Sequence, residues 1–215
     1  MRNKILWSLM TLLSLLIVLV VSRYLTLDPD VFFPEQRAIY LAHLTGLMVH
    51  VIGSMVALAL GPFLFLSALR KKWPALHRWL GRVYLLGNLF GGVAGLYMST
   101  YAYAGDIARY GFATLGLLWL AAGLMAYVRI RDGNVAEHRR WMIRNFALLL
   151  AGVMLRLQLP LLSQIMNFEA AYQIVAWSCW LPNLFVAEWM VRRRIGVSYT
   201  VSKPTRRQEV VATSH

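Results

Sequence analysis

Long apolar segments alternate with short polar links along this chain. Six segments have roughly the 17–25 apolar residues that a helix needs to cross a bilayer. They are Ile5–Val21, Ala42–Leu69, Val83–Tyr103, Tyr110–Val128, Trp141–Ser163 and Ala170–Val191. The second segment is longer than a span requires, which predicts a tilted helix or a last turn that emerges at the surface. The pattern predicts an all-α fold, a polytopic transmembrane helical bundle of six spans.

The same pattern divides the chain into three parts. Residues 1–24 are predicted to form an N-terminal transmembrane anchor helix. The apolar body is long and the following SRYLTLDPD lacks a small-x-small cleavage site, so this helix is expected to stay uncleaved. Residues 25–195 are predicted to form a five-span helical membrane domain. Residues 196–215 are polar and basic without apolar periodicity, which predicts a disordered tail.

The composition indicates that the chain lies in a lipid bilayer, and the distribution of charge predicts which side faces the cytoplasm. Hydrophobic residues make up 59% of the chain and charged residues 14%, too apolar for a small soluble domain. The net charge of +13 does not indicate nucleic-acid binding, because the basic residues are separated by membrane-length apolar runs. If both termini are cytoplasmic, 18 of the 22 basic residues lie on the cytoplasmic side, as the positive-inside rule favours. These 18 are Arg2, Lys4, Arg70, Lys71, Lys72, Arg78, Arg82, Arg129, Arg131, Arg139, Arg140, Arg144, Arg192, Arg193, Arg194, Lys203, Arg206 and Arg207.

Arg156 interrupts the fifth apolar segment, within the stretch VMLRLQLP. An ionisable residue inside a membrane span is costly and marks a functional site by default. Arg156 lies seven residues before Ser163, or ~10 Å below the predicted outer surface. His50, in the second segment, lies at a similar depth of ~14 Å. Glu188 is predicted near the opposite surface and is therefore a poor partner for Arg156.

Several groups are candidates to bond or neutralise the Arg156 guanidinium. Its long side chain can reach the interface, or it can bond to backbone carbonyls and to neighbouring polar side chains. Alternatively it binds an anionic group, such as a haem propionate, a lipid phosphate or a quinone-like oxygen. Pro160 lacks the N–H that would otherwise bond the carbonyl of Arg156. We predict a ligand pocket around this level that also includes His43, Tyr97 and Gln158. His50 has its own alternative, a neutral imidazole bonded to a neighbouring helix.

The third segment carries a row of glycines, Gly87, Gly91 and Gly95, at four-residue spacing. Rows of small residues let two helix backbones approach closely. Helix packing is the default interpretation, and a smooth wall for a flat cofactor is the alternative.

Two histidines and several arginines cluster in the basic links. His77 and His138 precede the third and fifth segments, which makes them a hypothetical axial pair for a haem. The neighbouring arginines predict binding of anionic phospholipids on the cytoplasmic face. They are Arg78, Arg82, Arg139, Arg140 and Arg144.

The runs LHRWLGRVYLLG, GFATLGLLWLAAGLMAYVRIRDG and EHRRWMIRNFALLLAGVMLRLQLPLL resemble a family of bacterial predicted membrane proteins of unknown function. The resemblance covers about Ala42–Leu162. It implies a multi-pass protein of the bacterial inner membrane, and it implies no activity. Four-helix membrane cytochromes b are more loosely similar, through the His-x-x-x-Gly spacing of His77 and Gly81. Their ligation of two haems by histidine pairs is not available in its usual form, because the third to sixth segments have no interior histidine.

Three functional hypotheses follow. The first is haem b or quinone binding in membrane electron transfer, with His50, Arg156, His77 and His138 as cofactor-binding residues. The second is a non-redox binding, transport or accessory protein that holds an anionic lipid or small molecule. The third is a structural subunit of a larger membrane complex. The single cysteine, Cys179, excludes a disulfide framework and a cysteine-based zinc site, so the only metal expected is a haem iron.

Overall fold

The computed structural model describes residues 2–200 of the 215, and the side chains of residues 4–193. Within this range the chain forms α-helices joined by short turns. They are α1 (Arg2–Ser22), α2 (Arg37–Ala42), α3 (Leu44–Leu64), α4 (Ser67–Lys72), α5 (Pro74–Ser99), α6 (Gly105–Arg131), α7 (Val135–Leu149), α8 (Ala151–Leu162), α9 (Phe168–Ser178) and α10 (Leu181–Thr200). Three 3-10 turns, Arg23–Thr26, Pro29–Val31 and Pro34–Gln36, link α1 to α2. The all-α helical bundle is therefore confirmed.

Five helical stretches of the described residues are long and apolar enough to cross a membrane. They are Lys4–Thr26, Leu44–Leu64, Gly105–Arg131, Val135–Leu162 and Phe168–Arg193. The remaining long helix, α5, has 26 residues. Its glycines and Asn88 lower its mean hydropathy, so its composition alone does not identify it as a membrane span.

Helices α3 and α5 pack tightly as an antiparallel pair. A Cβ atom on Gly46 would lie 2.7 Å from the Tyr97 ring, and one on Gly53 would lie 2.6 Å from the backbone nitrogen of Gly91. The glycine row of the third segment therefore faces α3 backbone and side chains, as the packing interpretation expected.

Helices α6 and α7 form a second antiparallel pair, which buried amide groups join to α5. Asn145 and Asn88 donate to the backbone carbonyl of Trp119 at 2.9 and 3.2 Å. Tyr84 donates to the side-chain oxygen of Asn145 at 2.6 Å. A Cβ atom on Gly123 would lie 1.9 Å from the side-chain oxygen of Asn88, so this glycine leaves the room that the amide occupies.

The last two membrane-length stretches are each broken once. The break between α7 and α8 falls at Leu150, and the break between α9 and α10 falls at Cys179 and Trp180. Pro182 lacks the N–H that a continuous helix would give to the carbonyl of Ser178. The amide of Gln158 donates to that carbonyl at 3.4 Å, and the Ser178 hydroxyl donates back to Gln158 at 2.8 Å.

The bundle has two chemically different ends. The end near residues 23–42 is called the cap end, because this segment folds across the bundle and buries Tyr24, Phe32 and Gln36. The opposite end is called the basic end and carries α4 with the first turns of α5 and α7. There Arg70 donates to the carbonyls of Leu64 and Phe65 at 3.2 and 2.8 Å, which satisfies the open end of α3.

Three boundaries differ from the sequence pattern. The segment Ala42–Leu69 is divided, because α3 ends at Leu64 and Leu66 has extended backbone angles before α4 begins. The basic links before the third and fifth segments are largely helical, since α5 begins at Pro74 and α7 at Val135. Finally, α10 runs to Thr200, so the predicted disordered tail lies mostly outside the described residues.

Candidate functional site

A cavity of about 220 Å³ lies inside the bundle, between the cap segment and the middle of the membrane-length helices. Its walls come from α1, α3, α5, α6, α7, α8 and α9 together with the cap segment. Most lining side chains are apolar. The polar ones are Tyr24, Gln36, Tyr40, His50, Ser54, Ser99, Arg156 and Tyr172. The number of polar side chains in its wall distinguishes this cavity from an ordinary packing defect.

Arg156 projects from α8 onto the cavity wall. Within the described part of the chain its guanidinium makes one hydrogen bond, to the carbonyl of Gly152 on its own helix at 3.1 Å. No carboxylate among the described residues lies within ion-pair distance of it; Glu188 instead bonds Arg144 at 2.5 and 3.1 Å. The expectation that Glu188 does not serve Arg156 is therefore confirmed. The other N–H groups of the guanidinium have no hydrogen-bond acceptor among the described residues.

His50 lies on the same cavity, contributed by α3. Its Nδ1 atom is 2.8 Å from the backbone oxygen of Gly91 on α5. A carbonyl oxygen only accepts, so Nδ1 carries the proton and a neutral ring leaves Nε2 as a free acceptor. A Cβ atom on Gly95 would lie 2.7 Å from the ring, so this glycine makes room for the imidazole.

Phenol and amide groups of the cap end surround the Arg156 side of the cavity. Tyr24 and Tyr172 are 8% and 6% exposed, and Tyr172 donates to the side-chain oxygen of Gln36 at 3.2 Å. Burial raises the pKa of Tyr40 well above its usual value, and the neighbouring Tyr172 and Tyr24 add to the shift. Tyr40 therefore stays a neutral hydrogen-bond donor at physiological pH.

Two polar atoms deeper in the cavity region have no partner in the described protein. They are the hydroxyl oxygen of Ser54 and the indole nitrogen of Trp119, both fully enclosed. Both residues line the cavity. Neighbouring protein atoms seal both of these polar atoms, so neither faces the open space of the cavity.

The structure places the other residues of the predicted ligand pocket elsewhere. His43 and Tyr97 bond each other at 2.8 Å and do not line the cavity, and His43 stacks on Tyr101 at a ring separation of 3.8 Å. Gln158 is occupied by Ser178 at the α9–α10 break. Residue counting gave the depth of these residues along their helices, but it could not show whether their side chains point into the cavity.

The other two histidines of the described residues, His77 and His138, lie at the basic end, away from the cavity. His138 bonds the carbonyl of Ala126 at 2.8 Å, and the Nδ1 atom of His77 is enclosed without a partner. Burial, followed by the charge of nearby Arg70, lowers the pKa of His77. A neutral ring is therefore favoured there.

The five arginines that were predicted to bind lipid fall into two groups. Arg140 pairs with Glu137 within α7, and Arg144 pairs with Glu188 on α10. The side chains of Arg78, Arg82 and Arg139 are exposed and form no ion pair among the described residues.

The family described as predicted membrane protein, DUF2306, matches residues 47–191, more than half of the chain. The chain belongs to this family. DUF2306 is a domain of unknown function, so the match confirms the multi-pass membrane class and assigns no activity. The matched range includes His50 and Arg156 but excludes α1 and the cap segment. No curated protein and no solved structure matches the chain.

Proposed function

We propose that this protein binds a quinone in its central cavity, as part of membrane electron transfer. The observation that carries the proposal is the Arg156 guanidinium, which lines a partly open cavity without a carboxylate partner among the described residues. An arginine in such a position binds oxygen acceptors strongly. His50 also lines the cavity; its free Nε2 atom accepts, so it can bond the O–H of a reduced quinol, and apolar side chains make up most of the remaining wall.

The dimensions of the site favour a quinone over haem b. Pockets for drug-sized ligands occupy about 300–1,000 Å³, and this cavity of about 220 Å³ is smaller. A single quinone ring suits that space better than a haem macrocycle does. His50 is also the only histidine that lines the cavity in the described part of the chain, so a histidine pair is not available there.

Quinone extraction from the purified protein tests the proposal. The wild-type chain should retain a quinone through purification, and Arg156→Leu should lose most of it. Arg109→Leu is the matched control, because Arg109 pairs with exposed Asp106 at 3.2 Å on the surface. A wild-type protein that neither retains quinone nor binds added quinone would refute the proposal.

An anionic lipid is the second candidate, supported by the same unpaired guanidinium. A lipid phosphate would accept hydrogen bonds from Arg156 as well as a quinone oxygen does. Native mass spectrometry separates the two, because a retained lipid and a retained quinone differ in mass. A lipid that disappears in Arg156→Leu and persists in Arg109→Leu would favour this candidate.

The orientation that we propose has six spans with both termini in the cytoplasm of a bacterium, in the inner membrane. Helix α5 lies antiparallel along α3 from Gly46 to Ala57, so it crosses the membrane if α3 does. The basic end then faces the cytoplasm, where Arg78, Arg82 and Arg139 meet anionic headgroups. Reporters fused to each terminus should both show cytoplasmic locations, and a periplasmic signal from either would reject this topology.

A further inference from the structure

The cap segment contributes three polar side chains to the cavity wall, those of Tyr24, Gln36 and Tyr40. The side-chain oxygen of Gln36 already accepts a hydrogen bond from Tyr172 at 3.2 Å. The phenol oxygens of Tyr24 and Tyr40 have no hydrogen-bond partner among the described residues, and neighbouring protein atoms do not seal them. The cap segment therefore presents two unused hydroxyl groups to the cavity.

Aromatic contacts fix the positions of these two tyrosines. The ring centroids of Tyr24 and Tyr40 lie 6.5 Å apart. Phe32, which is 2% exposed, packs against both rings at centroid distances of 5.3 and 5.7 Å. Tilted and edge-on ring pairs of this kind are favourable geometries, so the two hydroxyls are held in place before a ligand arrives.

Arg156 adds further donors on the same side of the cavity. Burial raises the pKa of Tyr40, and the positive charge of Arg156 acts in the opposite direction, so the guanidinium lies within electrostatic reach of this phenol. Among the described residues the guanidinium bonds only the carbonyl of Gly152. The two phenols and the guanidinium thus make three groups with hydrogen-bond donors to spare.

These donors exceed what one carbonyl oxygen of a ring can accept. A carbonyl oxygen has two lone pairs, and a guanidinium only donates. Three donor groups therefore need a second acceptor beside the carbonyl. An alkoxy oxygen on the neighbouring ring carbon supplies that acceptor without adding a donor of its own.

We propose that Tyr24, Tyr40 and Arg156 form a donor cluster that binds the carbonyl oxygen and an adjacent alkoxy oxygen of the quinone. The cavity then favours alkoxy-substituted benzoquinones over benzoquinones that carry only alkyl groups. This inference rests on the proposed quinone binding and adds the chemical class of the quinone. Tyr24 and Tyr40 lie outside residues 47–191, the range that the family model matches.

A binding comparison on the full-length protein in nanodiscs tests the donor cluster. The probes are a dimethoxy-benzoquinone with a short alkyl tail and a dimethyl-benzoquinone with the same tail. Wild-type protein should bind the dimethoxy probe about five- to tenfold more tightly, the effect of one additional hydrogen bond.

Tyr24→Phe and Tyr40→Phe should each reduce this preference to less than about twofold, because two donor groups match the two lone pairs of one carbonyl. Binding of the dimethyl probe should change less than about twofold. Both substitutions keep the ring that packs on Phe32, and each hydroxyl lacks a partner among the described residues. Each variant should therefore melt at the wild-type temperature in the absence of ligand.

Tyr110→Phe is the matched control. It makes the same chemical change on a side chain that is 65% exposed and does not line the cavity. Both probes should bind this variant as they bind the wild type.

The outcomes distinguish the donor cluster from the proposed function. If wild-type protein binds both probes equally, or if both tyrosine variants keep the wild-type preference, the cluster is wrong and quinone binding stands. Equal weakening of both probes by Tyr24→Phe and Tyr40→Phe would also overturn the cluster, because the phenols would then serve the carbonyl alone. If the wild type binds neither probe, both proposals fail.

Discussion

Gly53 lies where the backbones of α3 and α5 meet, and replacing it by alanine should loosen the whole pair. The added Cβ atom would lie 2.6 Å from the backbone nitrogen of Gly91 and 2.8 Å from the carbonyl oxygen of Gly87. Backbone atoms cannot move aside as a flexible side chain can. The two helices must therefore separate by roughly 0.8 Å to restore an ordinary contact near 3.4 Å.

Overpacking of this kind costs about 1–3 kcal/mol of folding free energy. For a protein of this size that corresponds to a fall in Tm of about 2–12 °C. The His50–Gly91 hydrogen bond of 2.8 Å crosses the same interface, so Gly53→Ala should also weaken ligand retention in the cavity.

The assay is thermal unfolding of the purified protein in detergent, with Gly81→Ala as the control. Gly81 is also helical, and a Cβ atom there would have no atom within 4 Å. Alanine is the better helix former by about 1 kcal/mol, so Gly81→Ala should leave Tm unchanged or raise it. A Gly53→Ala protein that is as stable as Gly81→Ala would refute the close backbone approach.

Two further predictions concern polar contacts between helices. Glu188→Gln weakens the pair of hydrogen bonds to Arg144, so it should lower the free energy of unfolding by about 1–3 kcal/mol. Glu137→Gln should lower it less, because its partner Arg140 is on the same helix. Equal effects of these two changes would contradict the interhelical role. Tyr84→Phe leaves the buried oxygen of Asn145 without its 2.6 Å donor and should cost about 1–2 kcal/mol, whereas Tyr127→Phe on the exposed surface should cost little. A neutral Tyr84→Phe would show that the network adds no stability.

The apolar periodicity predicted the helices well because lipid leaves few other ways to satisfy a backbone. The boundaries were harder, since they depend on local contacts. Arg70 ends α3 by bonding its last carbonyls, although the apolar run continues to Leu69. Asn134 caps α7 by accepting from the Glu137 N–H at 3.0 Å, so the helix begins before the apolar segment does.

The site was predictable in part. Depth along each helix follows from residue counting, which is why His50 and Arg156 were expected at one level and do line one cavity. The direction in which a side chain points depends on how its helix is rotated in the bundle, which residue counting does not give. His43 and Tyr97 accordingly lie at a suitable depth yet bond each other outside the cavity. Nothing in the sequence pattern marked Asn145 as a buried contact, because its hydrogen-bond partner is a backbone carbonyl of another helix.

Arg156 and Gln158 interrupt the same apolar stretch, and the fold accounts for them differently. Gln158 both donates to the Ser178 carbonyl that Pro182 leaves unbonded and accepts from the Ser178 hydroxyl. These two bonds to Ser178 explain why a polar Gln158 is tolerated in an apolar stretch. Among the described residues Arg156 bonds only the Gly152 carbonyl of its own helix, which neither neutralises its charge nor uses all five of its N–H donors. Since burying an unneutralised charge costs more than burying an amide, Arg156 is the residue that calls for an occupant of the cavity.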